Sequence, residues 1–252
     1  MLYALLGLAG IGIGLLGSLL GIGGGIFMVP LLLLSGLVAT AQEATGTSIV
    51  GVLATGISGS IGYFLRRKNP WRISLALVPG ALGGSYLGAF LTGRISSGAL
   101  ALAFGLFLLY PATVLLLGKE PKELVKARGH RGHSVWLASL VGVLAGTANS
   151  LFGIGGGVIM VPALLWLGLP MVEAVAASLL VMVPTAALST SLHALAGRTH
   201  WDLALPLSAG ILIGAQAGPA IAVRLPQRTL RRLFSLVLFY SAANMIRRGL
   251  GY

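Results

Sequence analysis

The sequence predicts an all-helical, polytopic membrane protein built from two inverted structural repeats of five apolar segments each, with short broken helices at two glycine motifs. Three observations predict it. The chain is 56% hydrophobic and only 9% charged, against roughly 45–50% and about 25% in a soluble domain, which excludes a water-soluble fold. Its apolar stretches are continuous and approach the ~20 residues that carry a helix across a bilayer, whereas barrel strands would alternate over about ten. The third observation is a duplicated motif. Ser18-Leu-Leu-Gly-Ile-Gly-Gly-Gly-Ile-Phe-Met-Val-Pro30 aligns with Ser150-Leu-Phe-Gly-Ile-Gly-Gly-Gly-Val-Ile-Met-Val-Pro162 at ten of thirteen positions.

The first repeat, residues 1–117, holds apolar segments at about 2–20, 26–38, 44–65, 74–93 and 99–117, labelled A to E. A charged connection at 118–133 follows, expected on the cytoplasmic side. The second repeat, 134–252, holds segments A′ to E′ at about 134–152, 158–169, 172–195, 203–223 and 229–246. Beyond the motif, the halves match at Glu43 and Glu173, Ser48 and Ser178, Trp71 and Trp201, and Gly80-Gly84-Gly88 and Gly210-Gly214-Gly218. Met1-Leu2-Tyr3 lacks the basic start of a cleaved signal, so segment A is expected in the mature fold.

Loop charge decides between parallel and inverted halves. The C–D loop carries Arg66, Arg67, Lys68 and Arg72, while the D–E loop carries Arg94. The bias is exchanged in the second half, where C′–D′ has Arg198 and D′–E′ has Arg224, Arg228, Arg231 and Arg232. Cations gather on the cytoplasmic side, so the exchange predicts inversion and an odd number of crossings per half. That number is five if B crosses and three if A and B form a re-entrant hairpin. Both chain ends are then outside. The 17 Lys and Arg against five acids are read as topology signals and lipid contacts, and nucleic acid is not expected as a partner.

Gly21-Ile-Gly-Gly-Gly25 is predicted to break the helix, since glycine costs about 1 kcal/mol per position relative to alanine. Pro30, tolerated in a first turn, puts the start of helix B near Ile26 or Phe27. Gly153 to Gly157 and Pro162 repeat the arrangement. Broken helices at matching places in two halves point to a site near the midplane. Free N–H groups and positive helix ends there favour an anion. The candidate binding residues are Gly23, Gly24, Gly25, Gly155, Gly156 and Gly157 through their backbone. Ser18, Asn149 and Ser150 would add side-chain donors, with Ser48 and Ser178 as weaker ones.

Other features have plainer readings. The GxxxGxxxG stripes of D and D′ serve helix packing. Gly12-Ile-Gly14-Leu-Leu-Gly17 matches a dinucleotide fingerprint but follows no strand. Thr40-Ala-Gln-Glu43 reads as a capping box and Glu173 as a first-turn acid, although both acids are also candidates for proton coupling. His193 reads as a hydrogen-bonded interface residue. The four tryptophans sit near segment ends, as interface anchors do. The chain has no cysteine and no cluster of acids and histidines at a segment centre. No metal, cofactor or catalytic residue is expected, and an enzyme is disfavoured.

The doubled pattern Ser-x-x-Gly-Ile-Gly-Gly-Gly-x-x-x-Val-Pro resembles the sulfite exporter TauE/SafE family, and the resemblance extends over the whole chain. It implies a bacterial or archaeal inner-membrane permease for sulfur oxyanions or organosulfonates such as sulfite or sulfoacetate. The expected function is secondary transport of a small anion by alternating access, with a passive anion channel as the alternative. The expected partners are that anion, membrane lipids and, as a homodimer, a second copy of the chain.

Overall fold

The computed structural model describes residues 1–66, 70–117, 135–167, 169–222 and 227–250. The charged connection predicted at 118–133 lies outside the described residues, as do Arg67, Lys68 and Arg224. The first repeat forms α1 (Leu2–Leu20), α2 (Gly25–Leu34), α3 (Ala41–Phe64), α4 (Trp71–Thr92) and α5 (Ser97–Leu117). The second forms α6 (Val135–Phe152), α7 (Gly157–Trp166), α8 (Met171–Leu195), α9 (Trp201–Ala222) and α10 (Gln227–Gly249). Five of these, α1, α3, α4, α8 and α9, are long and apolar enough to cross a membrane. The protein is a multi-pass membrane protein, and the described residues form no strand.

Two expectations about the broken helices need correction. Helix α2 starts at Gly25 and α7 at Gly157, each capped by a left-handed glycine, Gly24 (φ 76°) and Gly156 (φ 69°). Pro30 and Pro162 therefore lie in the second turn, not the first. Glycine can adopt φ > 0 without a Cβ clash, so left-handed Gly24 and Gly156, rather than the prolines, set the starts. Helix α2 also ends at Leu34, four residues before the predicted limit, and α7 at Trp166.

Each half packs mainly against the other. Helix α1 lies along α9 and α6 along α4, because glycines let backbones meet. A Cβ on Gly10 would strike the Leu207 carbonyl, and one on Gly14 the Ile211 carbonyl. Gly80, Gly84 and Gly88 likewise meet Ser139, Val143 and Thr147 of α6. The GxxxGxxxG stripes are thus packing surfaces, as the sequence suggested. These two pairs run parallel.

The self-paired helices run the other way. Gly46 of α3 lies beside Arg198, just past α8, while Gly56 lies beside Leu179 and Val183, so α3 and α8 are antiparallel. Helices α5 and α10 are antiparallel too: Gly98 faces Gly249, Gly105 faces Ile246, and the Ser235 hydroxyl donates to the Ala112 carbonyl at 2.8 Å.

Helix α2 turns back on α3. The Thr55 hydroxyl donates to the Gly23 carbonyl at 3.1 Å, and Gly51 lies against Met28, so α2 descends as α3 ascends. Helices α1 and α2 consequently form a hairpin whose two ends open to the same side. The choice left open by the sequence falls on the hairpin rather than a second full crossing.

The chain directions put the ends of α3 and α5 on one face of the bundle with the starts of α4, α6 and α10. The turn between α8 and α9 is on the other. Arg66 and Ala196 are both exposed, and the chain has no native cysteine. With a membrane-impermeant thiol reagent on intact cells, Arg66→Cys and Ala196→Cys are expected to label from opposite sides. Labelling from the same side would refute this topology.

Candidate anion site at the paired glycine turns

The two glycine turns, one between α1 and α2 and one between α6 and α7, touch at the centre of the bundle. Gly25 packs on the Gly153 carbonyl and Ile154, and Gly157 packs on the Gly21 carbonyl and Ile22. Gly155 lies against Gly23 and the Ile22 carbonyl, with Met182 of α8 alongside both. No side chain fits at such contacts. Six glycines of the two turns have positive φ, Gly21, Gly23, Gly24, Gly153, Gly155 and Gly156. The glycine run is therefore both a break and a packing surface.

Each turn is held by a serine from the opposite repeat. The Ser178 hydroxyl donates to the Gly21 carbonyl at 2.8 Å, and the Ser48 hydroxyl donates to the Gly153 carbonyl at 3.0 Å. The single hydrogen of each hydroxyl is committed to a carbonyl, as Ser48 also reaches the Thr45 carbonyl and Ser178 the Val175 carbonyl. Both serines thus clasp the turns instead of offering a donor to a ligand. Ser18 donates to Leu15 and packs on Gly218, facing α9.

The donors that remain are those of the helix starts. The Gly24 carbonyl takes the N–H groups of Phe27 and Met28, and the Gly156 carbonyl takes those of Ile159 and Met160. Gly25 and Ile26 of α2, and Gly157 and Val158 of α7, are first-turn residues whose N–H groups have no intrahelical acceptor. Gly23 differs from its expected role, since its N–H returns to the Gly17 carbonyl at 3.4 Å.

Beside the start of α7 lies an unpaired amide. Asn149 is 1% exposed, and neither its Nδ2 nor its Oδ1 has a hydrogen-bond partner. Its Cβ is 3.5 Å from where a Cβ on Gly156 would stand. A buried amide without partners costs roughly 1–3 kcal/mol, and this one leaves two donors and an acceptor uncommitted beside a helix N-terminus.

The sequence reading missed one pairing. His193, fully buried, holds the Ser150 carbonyl through Nε2 at 2.9 Å, and Tyr63, its equivalent in the first repeat, holds the Ser18 carbonyl through its hydroxyl at 3.3 Å. The signal was present in the same register that pairs Ser48 with Ser178, but Tyr and His differ too much in chemistry for identity matching to connect them. Ser150 itself is buried, with its hydroxyl 3.5 Å from His193 Nε2.

The two acids lie away from the turns, in the first turns of α3 and α8. Glu43 forms the predicted capping box: its backbone N–H donates to the Thr40 hydroxyl at 3.2 Å, and its carboxylate accepts from the N–H groups of Thr40 and Ala39 at 3.2 and 2.9 Å. His200 Nε2 lies 3.6 Å away. Glu173 begins α8 after Pro170. Among the described residues no group of three or more acids, histidines or cysteines could hold a metal ion.

A helical bundle in which two broken helices meet through glycine backbone is a transporter architecture, and the comparisons agree on the class. The chain matches the family described as Sulfite exporter TauE/SafE over residues 6–245. It belongs to that family of membrane transporters. It is 28% identical to the probable membrane transporter protein YunE of Bacillus subtilis (strain 168), over 99% of each chain. It is 30% identical to a probable membrane transporter protein of Xylella fastidiosa (strain Temecula1 / ATCC 700964), over 96% of this chain and 92% of the relative. A third, MJ0441 of Methanocaldococcus jannaschii, is 28% identical over 94% and 93%. No solved structure matches the chain.

Three outcomes test this geometry. Gly157→Ala forces a Cβ onto the Gly21 carbonyl, and the protein is expected to lose its monodisperse chromatographic profile. Gly12→Ala, in α1 with nothing within 4 Å, should leave that profile intact and raise thermal stability by up to about 1 kcal/mol. Glu43→Gln keeps an acceptor in the capping box and should cost about 1 kcal/mol or less by the same assay.

Proposed function

We propose that this protein is a secondary transporter that moves a small anion, a sulfur oxyanion or organosulfonate such as sulfite or sulfoacetate, by alternating access of two inverted halves. The observation that carries the reading is Asn149, a buried amide with both polar atoms unpartnered, beside the N-terminus of α7, where no side chain caps the helix. Its amide hydrogens and the N–H groups of Gly157 and Val158 make a donor set suited to oxyanion oxygens, and the helix end adds positive potential.

The antiparallel pairing of α3 with α8 and of α5 with α10 supports the inverted relation of the halves. A twofold axis in the membrane plane relates each such helix to an antiparallel copy, whereas an axis along the normal would leave the copies parallel. Rocking one half against the other around the touching turns would expose the site to each side in turn. The sulfur oxyanion class comes from the family description, and the donor set suits it.

The test is binding and flux with purified protein. Sulfite, thiosulfate, sulfate, sulfoacetate and taurine are screened by thermal shift, and the best ligand is followed in proteoliposomes. Saturable uptake with counterflow is expected. Asn149→Ala should weaken binding by about ten- to hundredfold, the equivalent of one hydrogen bond to a charged group at roughly 1.5–3 kcal/mol. Non-saturating flux without counterflow would replace alternating access by a passive channel.

A further inference from the structure

The two halves are built alike but are not chemically alike. At three buried polar positions of the second half, Asn149, Ser189 and His193, the first half has Gly17, Gly59 and Tyr63. Gly17 packs on the backbone of Gly24, and Gly59 lies against Ser18 and Leu179, which fills the space a ligand would need. In the second half the buried amide of Asn149, the Ser189 hydroxyl and His193 Nδ1 all lack a partner. Ser189 stands one turn before His193 on the same face of α8, and His193 is bonded to Ser150, the neighbour of Asn149.

The state of His193 follows from its partner. A carbonyl oxygen accepts and cannot donate, so the Nε2 that lies 2.9 Å from the Ser150 carbonyl carries the hydrogen. In the neutral ring, which burial without an acidic partner favours, Nδ1 presents a lone pair with nothing donating to it. A buried acceptor of this kind is completed by an O–H, not by an oxygen anion. A ligand that bridged these groups would bring oxygens for the donors at α7 and Asn149 and a hydrogen for His193.

We propose that the anion is bound by the second-half turn alone, between Asn149 and His193, and that the bound species is a hydrogen oxyanion such as hydrogensulfite rather than its dianion or a sulfonate. This rests on the anion reading above and narrows it. It also makes each anion moved carry a proton with it, without an acidic side chain at the site. Among the described residues the charged group near His193 is Arg198, whose guanidinium donates to the Ala89 carbonyl at 3.1 Å and lies against Gly93. Helices α6 and α7 contribute no titratable side chain, and from α4 the neighbour is the Thr92 hydroxyl, which also reaches the Ser150 carbonyl.

The experiment compares two probes on the intact protein in detergent: sulfite, titrated through the range in which it becomes hydrogensulfite, and methanesulfonate, which has the same oxygens but no O–H and stays a monoanion throughout. Sulfite affinity should rise on acidification in proportion to the hydrogensulfite fraction, and methanesulfonate should bind about tenfold or more weaker at every pH. His193→Tyr copies the first half, where Tyr63 caps the equivalent carbonyl, so it keeps the cap and deletes the acceptor. That variant should bind the two probes within about twofold of each other.

Equal affinity of wild-type protein for both probes would overturn the hydrogen-oxyanion assignment while leaving anion transport standing. So would a preference that survives in folded His193→Tyr. Binding of neither probe would remove the sulfur oxyanion reading together with this one. The wild-type comparison decides the matter even if the variant does not fold.

Discussion

Everything in this structure depends on satisfying main-chain carbonyls where there is no water. A helix broken inside a bilayer exposes peptide groups whose desolvation costs several kcal/mol each unless they find partners. Here the Gly21 and Gly153 carbonyls are taken by Ser178 and Ser48, each from the opposite repeat. The Ser18 and Ser150 carbonyls are taken by Tyr63 and His193. A break in one half is thus tolerable only because the long central helix of each half supplies hydroxyl and ring donors at the right height. Side chains at the turns would push these donors out of reach, so glycine is required there for packing as much as for its backbone angles.

That reciprocity extends to the apolar contacts. Helix α1 uses Gly10 and Gly14 to seat itself on α9, and α4 uses Gly80, Gly84 and Gly88 to seat itself on α6. With lipid tails as apolar as the side chains, close backbone approach is the main source of cohesion. The halves are joined by the same interactions that in other folds hold one domain together. The candidate site therefore lies at an interface that the fold cannot dispense with, with Asn149 and His193 buried beside it.

The sequence made the architecture legible and left the site half legible. The duplicated motif identified both breaks, and α3 packs antiparallel to α8, which is the relation that the exchanged loop cations predict for inverted halves. Helix starts were placed one or two residues late because Pro30 and Pro162 looked like first-turn residues, while left-handed Gly24 and Gly156 set the starts at Gly25 and Gly157. Ser48 and Ser178 carried a hydroxyl signal that could not reveal what the hydroxyl faces. That depends on contacts to Gly153 and Gly21, more than a hundred positions away. Glu43 was read correctly because a capping box is a local, four-residue pattern. Asn149 stood out in the alignment as a departure from Gly17, yet only burial without a partner distinguishes it from a packing residue.

The pairing of α1 with α9 also has a consequence for biogenesis. The hairpin of α1 and α2 leaves the ribosome long before α9, yet the surface that covers Gly10 and Gly14 belongs to Leu207 and Ile211 of that helix. Until then α3 can supply Thr55 and Tyr63 to the Gly23 and Ser18 carbonyls, but the glycine face of α1 has no α9 to pack on. Insertion must therefore hold the early hairpin in a provisional setting, at the lipid boundary or against the translocation machinery, and complete the core in a late step. Chain closure over such separations is slow, so nascent chains stalled before α9 should be the species that membrane quality control meets.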